Sequence, residues 1–345
     1  MAKRASKAIW GRSVQRSLNA MQRTAMRAGT KALKQALRAA PSTRKPKPAT
    51  RTAATAARWS TGIALGAAGA RRYRLYKPVG VRRTEQLPLL VMLHGCGQDA
   101  EMLAASTLMN QLAEQERFLV LYPEQDRLSN LQGCWNWYDT RSGRAQREAD
   151  AIDAAIDQVC LKEPVDPERI ALVGLSAGAS MAALLATRRP ERFRGIAMHS
   201  GIAPGVTHSS ATALSAMRGS RPTEVVLPAL AAGTHLPALL VIQGSYDHVV
   251  APSNGQQAAR LWAAQEGAKP GVPRTVQRGA RYPATITDYK IRGRLVATCC
   301  EVNGLGHAWS GGAAGRPYSD PKGPNASQMI WTFVTKQFAN ARAVL

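Results

Sequence analysis

From Arg71 onward the sequence alternates short, nearly continuous apolar runs with stretches of helical composition, and few folds accommodate that rhythm. The runs are RYRLYKP (71–77), LPLLVML (87–93), FLVLYP (118–123), RIALVGL (169–175), FRGIAMH (193–199) and LPALLVIQG (236–244). A strand that is apolar on both faces must be covered on both faces, as central strands of a parallel sheet are. Between the runs, residues 101–115, 146–161, 177–188 and 254–266 have helical composition. The alternation predicts one doubly wound, mostly parallel α/β sheet. Reactive side chains should then gather at the carboxyl ends of strands.

The formal net charge of +24 suggests a nucleic-acid binder until its distribution is read. Residues 1–84 hold 21 Lys and Arg and no Asp or Glu, leaving 25 basic against 22 acidic residues beyond them. The basicity belongs to the N-terminal segment, and any binding to nucleic acid, a polymer granule or an anionic surface must rest there. Within residues 1–40, Trp10, Val14, Leu18 and Met21 follow helical spacing, while Arg12, Arg16, Arg23, Arg27, Lys31 and Lys34 populate other faces. Pro41 to Ala57 reads as a flexible linker. The expected organisation is a basic extension over 1–60 and a catalytic domain over 70–345.

No h-region interrupts the basic residues between Lys3 and Arg58, so the start does not read as a secretory signal. Gly62 to Ala70 reads as the approach to the first strand. No stretch reaches the eighteen or more apolar residues of a membrane span, and a soluble protein is expected. Five cysteines in a chain of this length make no disulfide scaffold. They make no zinc pattern either: Cys96, Cys134 and Cys160 lie far apart, and Cys299 and Cys300 are adjacent.

The sharpest motif is Gly174-Leu175-Ser176-Ala177-Gly178, a G-x-S-x-G between the apolar run RIALV and the helix-like ASMAALLATRR. A serine on a tight strand-to-helix turn is exposed by a strained backbone, and glycines on either side let the chains pack closely. Ser176 is therefore the candidate nucleophile. LPALLVIQG ends in Ser245-Tyr246-Asp247, which places Asp247 as the acid that orients a histidine; Asp288, in a strand-rich insertion, is the other downstream candidate. Gly304-Leu305-Gly306-His307 follows the run LVATCCEV and supplies the base, so the chain order is Ser…Asp…His. His94-Gly95-Cys96-Gly97-Gln98 follows LPLLVML, where an oxyanion loop belongs. The backbone amides of Cys96 and Ala177 are the expected donors, and His94 reads as a structural residue of that loop.

Beyond residue 70 the chain resembles the esterase family of the polyhydroxybutyrate (PHB) depolymerases. The matching segments are HGCGQ (94–98), LYPEQ (121–125), CWNWYD (134–139), GLSAGASMAALLA (174–186), HSG (199–201), QGSYDHVV (243–250) and GLGHAWSGG (304–312). The resemblance implies an α/β-hydrolase fold and cleavage of carboxylic esters with no metal or organic cofactor. The expected substrates are 3-hydroxyalkanoate esters, oligomers or polymer, or feruloyl and acetylxylan esters as in related members. It places the triad on Ser176, Asp247 and His307 and an oxyanion amide on Cys96. It also implies a disulfide between Cys96 and Cys134 and a substrate-facing role for Trp135; on composition alone Trp135 and Trp137 read as core aromatics. The family's secreted members imply an extracellular enzyme, whereas the missing h-region points to the cytoplasm. A reading from a different class is a binding protein that acts through its basic arm.

Overall fold

A computed structural model describes residues 59–220 and 233–342, with positions 225, 227 and 230 between them. The helix and linker expected over residues 1–57 lie outside the described residues. Eleven strands form one sheet. In chain order they are β1 (Trp59–Gly66), β2 (Gly69–Tyr76), β3 (Leu87–Leu93), β4 (Leu119–Pro123), β5 (Val165–Leu175), β6 (Gly195–His199), β7 (Ala238–Gly244), β8 (Lys269–Pro270), β9 (Arg274–Val276), β10 (Ala284–Ile291) and β11 (Arg294–Val302). The order across the sheet is β1-β2-β4-β3-β5-β6-β7-β11-β10-β8, with β9 also paired to β10. From β4 to β11 every neighbouring pair is parallel, and both margins are antiparallel.

Helices cover both faces of the sheet. In chain order they are α1 (Ala100–Thr107), α2 (Met109–Glu116), α3 (Arg144–Lys162), α4 (Ala177–Arg188), α5 (Ser210–Met217), α6 (Ser253–Gln265) and α7 (Ala326–Arg342). The pleat of β3 divides the core: Leu89, Val91 and Leu93 pack with α3, α4, α5 and α6, while Leu90 and Met92 pack with α1, α2 and α7. Burial of each such side chain contributes about 1.5–3 kcal/mol, which is why β3 is apolar at every position. Among the described residues, no helix is long and apolar enough to cross a membrane.

Two local expectations change. The sheet takes in β1, which begins eleven residues ahead of residue 70, because WSTGIALG pairs with β2 along its whole length. Its small residues are the reason it is not legible as a strand: the ring of Tyr73 lies over Gly62, where a Cβ would come within 2.3 Å of it. The helix expected over 101–115 is two helices, because Leu108 takes a left-handed conformation (φ 57°) and turns the chain.

Candidate active site

Ser176 sits between β5 and α4 with φ 55° and ψ −121°, a conformation that costs a non-glycine residue on the order of 1–3 kcal/mol. Main-chain packing enforces it. A Cβ on Gly174 would meet the Gly178 carbonyl at 2.2 Å, and one on Gly178 would meet the Leu93 carbonyl oxygen at 2.2 Å. The Ser176 amide donates to the His199 carbonyl at 2.8 Å, fastening the turn to β6. Ser176 stands ahead of the first turn of α4, where unpaired amides and the helix dipole favour negative charge.

Asp247 and His307 meet. His307 Nδ1 lies 2.8 Å from Asp247 Oδ2, and the carboxyl group is fully buried. Asp247 Oδ2 also accepts from Gln243 Nε2 at 3.1 Å, while Oδ1 accepts the Val249 and Val250 amides at 2.9 and 2.8 Å. Burial pushes this carboxyl upward, but the hydrogen bond and charge of His307 and the two amides outweigh it and hold the group below its ordinary value. An ionised Asp247 accepts a hydrogen bond from His307 Nδ1–H, which leaves Nε2 as the ring nitrogen able to take a proton. The two loops are joined to each other: the Ser245 and Tyr246 amides donate to the Val302 and Leu305 carbonyls, and Gly304 donates to Ser245 Oγ. Gly244 permits this approach, since a Cβ there would lie 2.2 Å from the Leu305 carbonyl oxygen. Asp288 is elsewhere, on the β10–β11 hairpin, with its two oxygens taken by Arg274 and Thr298 at 2.7 Å each.

His94 fastens the loop expected to carry the oxyanion amides. Its Nε2 accepts the Gln125 amide at 3.1 Å, so its Nδ1 carries the proton and donates to the Gly95 carbonyl at 2.9 Å. That carbonyl belongs to the same peptide plane as the Cys96 N–H, so fixing one aims the other. Burial drives the His94 pKa down to about 4, which keeps the ring neutral and this pattern intact near neutral pH. Among the described residues, neither the Cys96 nor the Ala177 amide donates a hydrogen bond, and both residues border a cavity of about 40 Å³ that Ser176 also lines. A disulfide joins Cys96 to Cys134. Closing that loop constrains the unfolded chain, so replacing both cysteines by serine should cost about 2–4 kcal/mol in urea unfolding; a change below about 1 kcal/mol would count against it. Cys299 and Cys300 are free and buried, and burial pushes both thiols up to about 12, which makes them poor nucleophiles.

Trp135, expected to face substrate, is not among the residues that line the cavity beside Ser176. It is fully buried beneath the Arg71 guanidinium, with its indole N–H donated to the His94 carbonyl at 3.0 Å. Trp137 lines the cavity beside Ser176 instead. Two residues apart in one loop, Trp135 and Trp137 are not separated by spacing; Trp135 is the one whose indole N–H the His94 carbonyl takes. A buried polar group behind the loop also went unseen in the sequence. Glu148 on α3 accepts from Gln125 Nε2 and from the amide and side chain of Asn136, and Arg71 donates to Gln125 Oε1. His199 is a further such residue: stacked on Trp309, it accepts the Ser310 amide through Nε2 and moors the segment after His307. Among the described residues, no cluster of three or more His, Cys, Asp or Glu side chains is placed to hold a metal ion.

The family model of the PHB depolymerase esterases matches residues 71–269, more than half of the chain. The chain belongs to that family. Poly(3-hydroxyalkanoate) depolymerase C of Paucimonas lemoignei is 29% identical over 237 residues, which cover 64% of this chain and 57% of that protein. A probable acetylxylan esterase A of Aspergillus clavatus is 25% identical, covering 64% of this chain and 74% of the relative. Feruloyl esterase B of Neurospora crassa is 25% identical, covering 55% and 69%. An acetyl xylan esterase from Aspergillus awamori superposes with a TM-score of 0.59 at 19% identity, covering 72% of this chain and 93% of that one. That likeness shows the α/β-hydrolase fold of this PHB depolymerase-family chain.

Proposed function

We propose that this member of the PHB depolymerase family is a carboxylic ester hydrolase acting by two-step acyl transfer. The observation that carries the reading is the 2.8 Å pairing of His307 with a buried, ionised Asp247, on the same sheet that holds Ser176 in a strained turn. Ser176 Oγ attacks the ester carbonyl carbon while His307 Nε2 takes its proton. The Cys96 and Ala177 amides receive the oxyanion, the bond to the alcohol oxygen breaks, and His307 returns the proton to that oxygen. Water, giving its proton to His307, then attacks the acyl carbon; the bond to Ser176 Oγ breaks, Oγ takes that proton back, and the acid is released.

The proposed substrates are 3-hydroxyalkanoate esters or oligomers. Resemblance to the Paucimonas depolymerase supports this, as do two buried hydroxyls in the cavity wall. Ser180 Oγ accepts the Ile202 amide, and Ser200 Oγ accepts from His199 Nδ1; each keeps its own proton for an oxygen on the acyl group. The test is a rate comparison among hydroxybutyrate oligomers, feruloyl esters and acetyl-xylan. Faster hydrolysis of either of the last two would replace the substrate named here. The Cys96–Cys134 disulfide supports action outside a reducing cytoplasm; recovery of the activity from cells but not from the medium would count against it.

The basic arm is proposed to bind an anionic surface or a polymer granule without taking part in catalysis. Residues 1–60 carry fifteen Lys and Arg, and every proposed catalytic residue lies beyond residue 90. Deleting residues 1–58, which spares β1, should leave turnover of a small soluble ester within about threefold, roughly 0.65 kcal/mol in barrier. The same deletion should weaken binding to anionic vesicles, by a margin that shrinks as salt rises. A larger fall in turnover would tie the arm to the active site.

A further inference from the structure

The position of the cavity beside Ser176 says which half of an ester enters it. It touches Ser176, Cys96 and Ala177 but is not lined by His307. The leaving alcohol oxygen must lie against the histidine that protonates it, so the alcohol half departs on the His307 side. The cavity therefore receives the acyl half. This step rests on the ester hydrolase reading above.

Its volume is about 40 Å³. One water-sized group needs about 10–15 Å³ of such space, so the cavity holds about three groups beyond the carbonyl carbon. Val250 and Met217 bound it. Val250 is buried, and its amide is one of the two held by Asp247 Oδ1, so it cannot retreat without disturbing the acid. Met217, the last residue of α5, is half-buried and unbranched. Its backbone is pinned: the Ala251 amide donates to the Met217 carbonyl at 2.8 Å, and the buried Asn254 side chain donates to the Ala216 carbonyl at 2.9 Å. The wall stays in place while its one flexible side chain fixes how far a chain can extend.

We propose that Met217 sets the upper limit of acyl length, confining the enzyme to short acyl groups of up to about four carbons. Longer aliphatic and aryl acyl groups meet the thioether. In a pocket of fixed wall, an obstructed methylene costs on the order of tenfold in kcat/KM.

The experiment compares kcat/KM for p-nitrophenyl acetate, butyrate and octanoate, read as ratios within each protein so that losses of active enzyme cancel. The wild type should prefer butyrate to octanoate by at least about tenfold. Met217→Ala should raise the octanoate-to-butyrate ratio by at least about tenfold, and Met217→Trp should lower the butyrate-to-acetate ratio by a similar factor. If the alanine variant does not fold, the tryptophan variant decides alone. Ser176-dependent activity that is indifferent to acyl length, or ratios within about twofold of wild type in the folded variants, overturns the inference and leaves the hydrolase reading standing. No Ser176-dependent turnover of any of these esters removes both.

Discussion

Ser176→Ala is expected to lower turnover of a soluble ester by about 10⁴-fold or more while the protein unfolds at nearly the same temperature. The size of the loss follows from the mechanism. Without Oγ no acyl-enzyme forms, and what remains is whatever the oxyanion amides do for attack by water. Stability is spared because alanine at φ 55° carries the same backbone strain as serine, and the Gly174 and Gly178 contacts are untouched. His307→Ala should lose activity to a similar extent and behave differently in stability. It leaves the buried Asp247 carboxylate without one of its four donors, a loss of about 1–3 kcal/mol at neutral pH. Activity within tenfold of wild type in the Ser176 variant would show that the ester bond is cleaved without it.

Asp247→Asn is expected to reduce turnover by about 10³- to 10⁴-fold. Every partner of Asp247 is a donor: the Val249 and Val250 amides on Oδ1, and Gln243 Nε2 and His307 Nδ1 on Oδ2. An amide has only one oxygen to offer. With its oxygen on the two backbone amides, its NH₂ group faces His307 and forces the ring to accept at Nδ1. The proton then moves to Nε2, the nitrogen that must take the serine proton. With the amide reversed, NH₂ opposes two backbone N–H groups. Asp288→Asn disturbs only the hairpin contacts with Arg274 and Thr298 and should leave turnover within about twofold. A severe loss in the Asp288 variant beside a mild one in the Asp247 variant would reassign the acid.

The alternation of buried runs was enough to read the parallel body of the sheet, because central strands covered on both faces must be apolar throughout. The order of Ser176, Asp247 and His307 was legible for a related reason: each follows an apolar run, and strand ends are where such a sheet gathers chemistry. The margins were less legible. β1 is an edge strand whose glycine makes room for Tyr73, a requirement set by a residue on the next strand. Leu108 breaks a helix without proline or glycine to announce it. The arrangement of Arg71, Gln125, Asn136 and Glu148 behind the loop after β3 draws on β2, α3 and the long connection between β4 and α3, and nothing local in any of them marks the meeting. Trp135 and Trp137 sit two residues apart, yet one is buried with its indole N–H on a carbonyl and the other lines the cavity. Long-range placement decides such cases, and a linear pattern does not carry it.

The close approaches at Gly174, Gly178 and Gly244 also bear on how this family can vary. At each of them the atom that leaves no room for a side chain is a main-chain atom, a carbonyl of Gly178, Leu93 or Leu305. Main-chain atoms are common to all twenty amino acids, so replacing the neighbouring side chains cannot relieve or reproduce these contacts. The serine turn and the junction of the two loops are thus fixed by the path of the backbone, which at these three glycines leaves no room for a side chain. Walls such as Met217 and Trp137 are written in side chains and can drift. A change in such a side chain can therefore alter which ester fits without disturbing the backbone contacts that hold the serine turn.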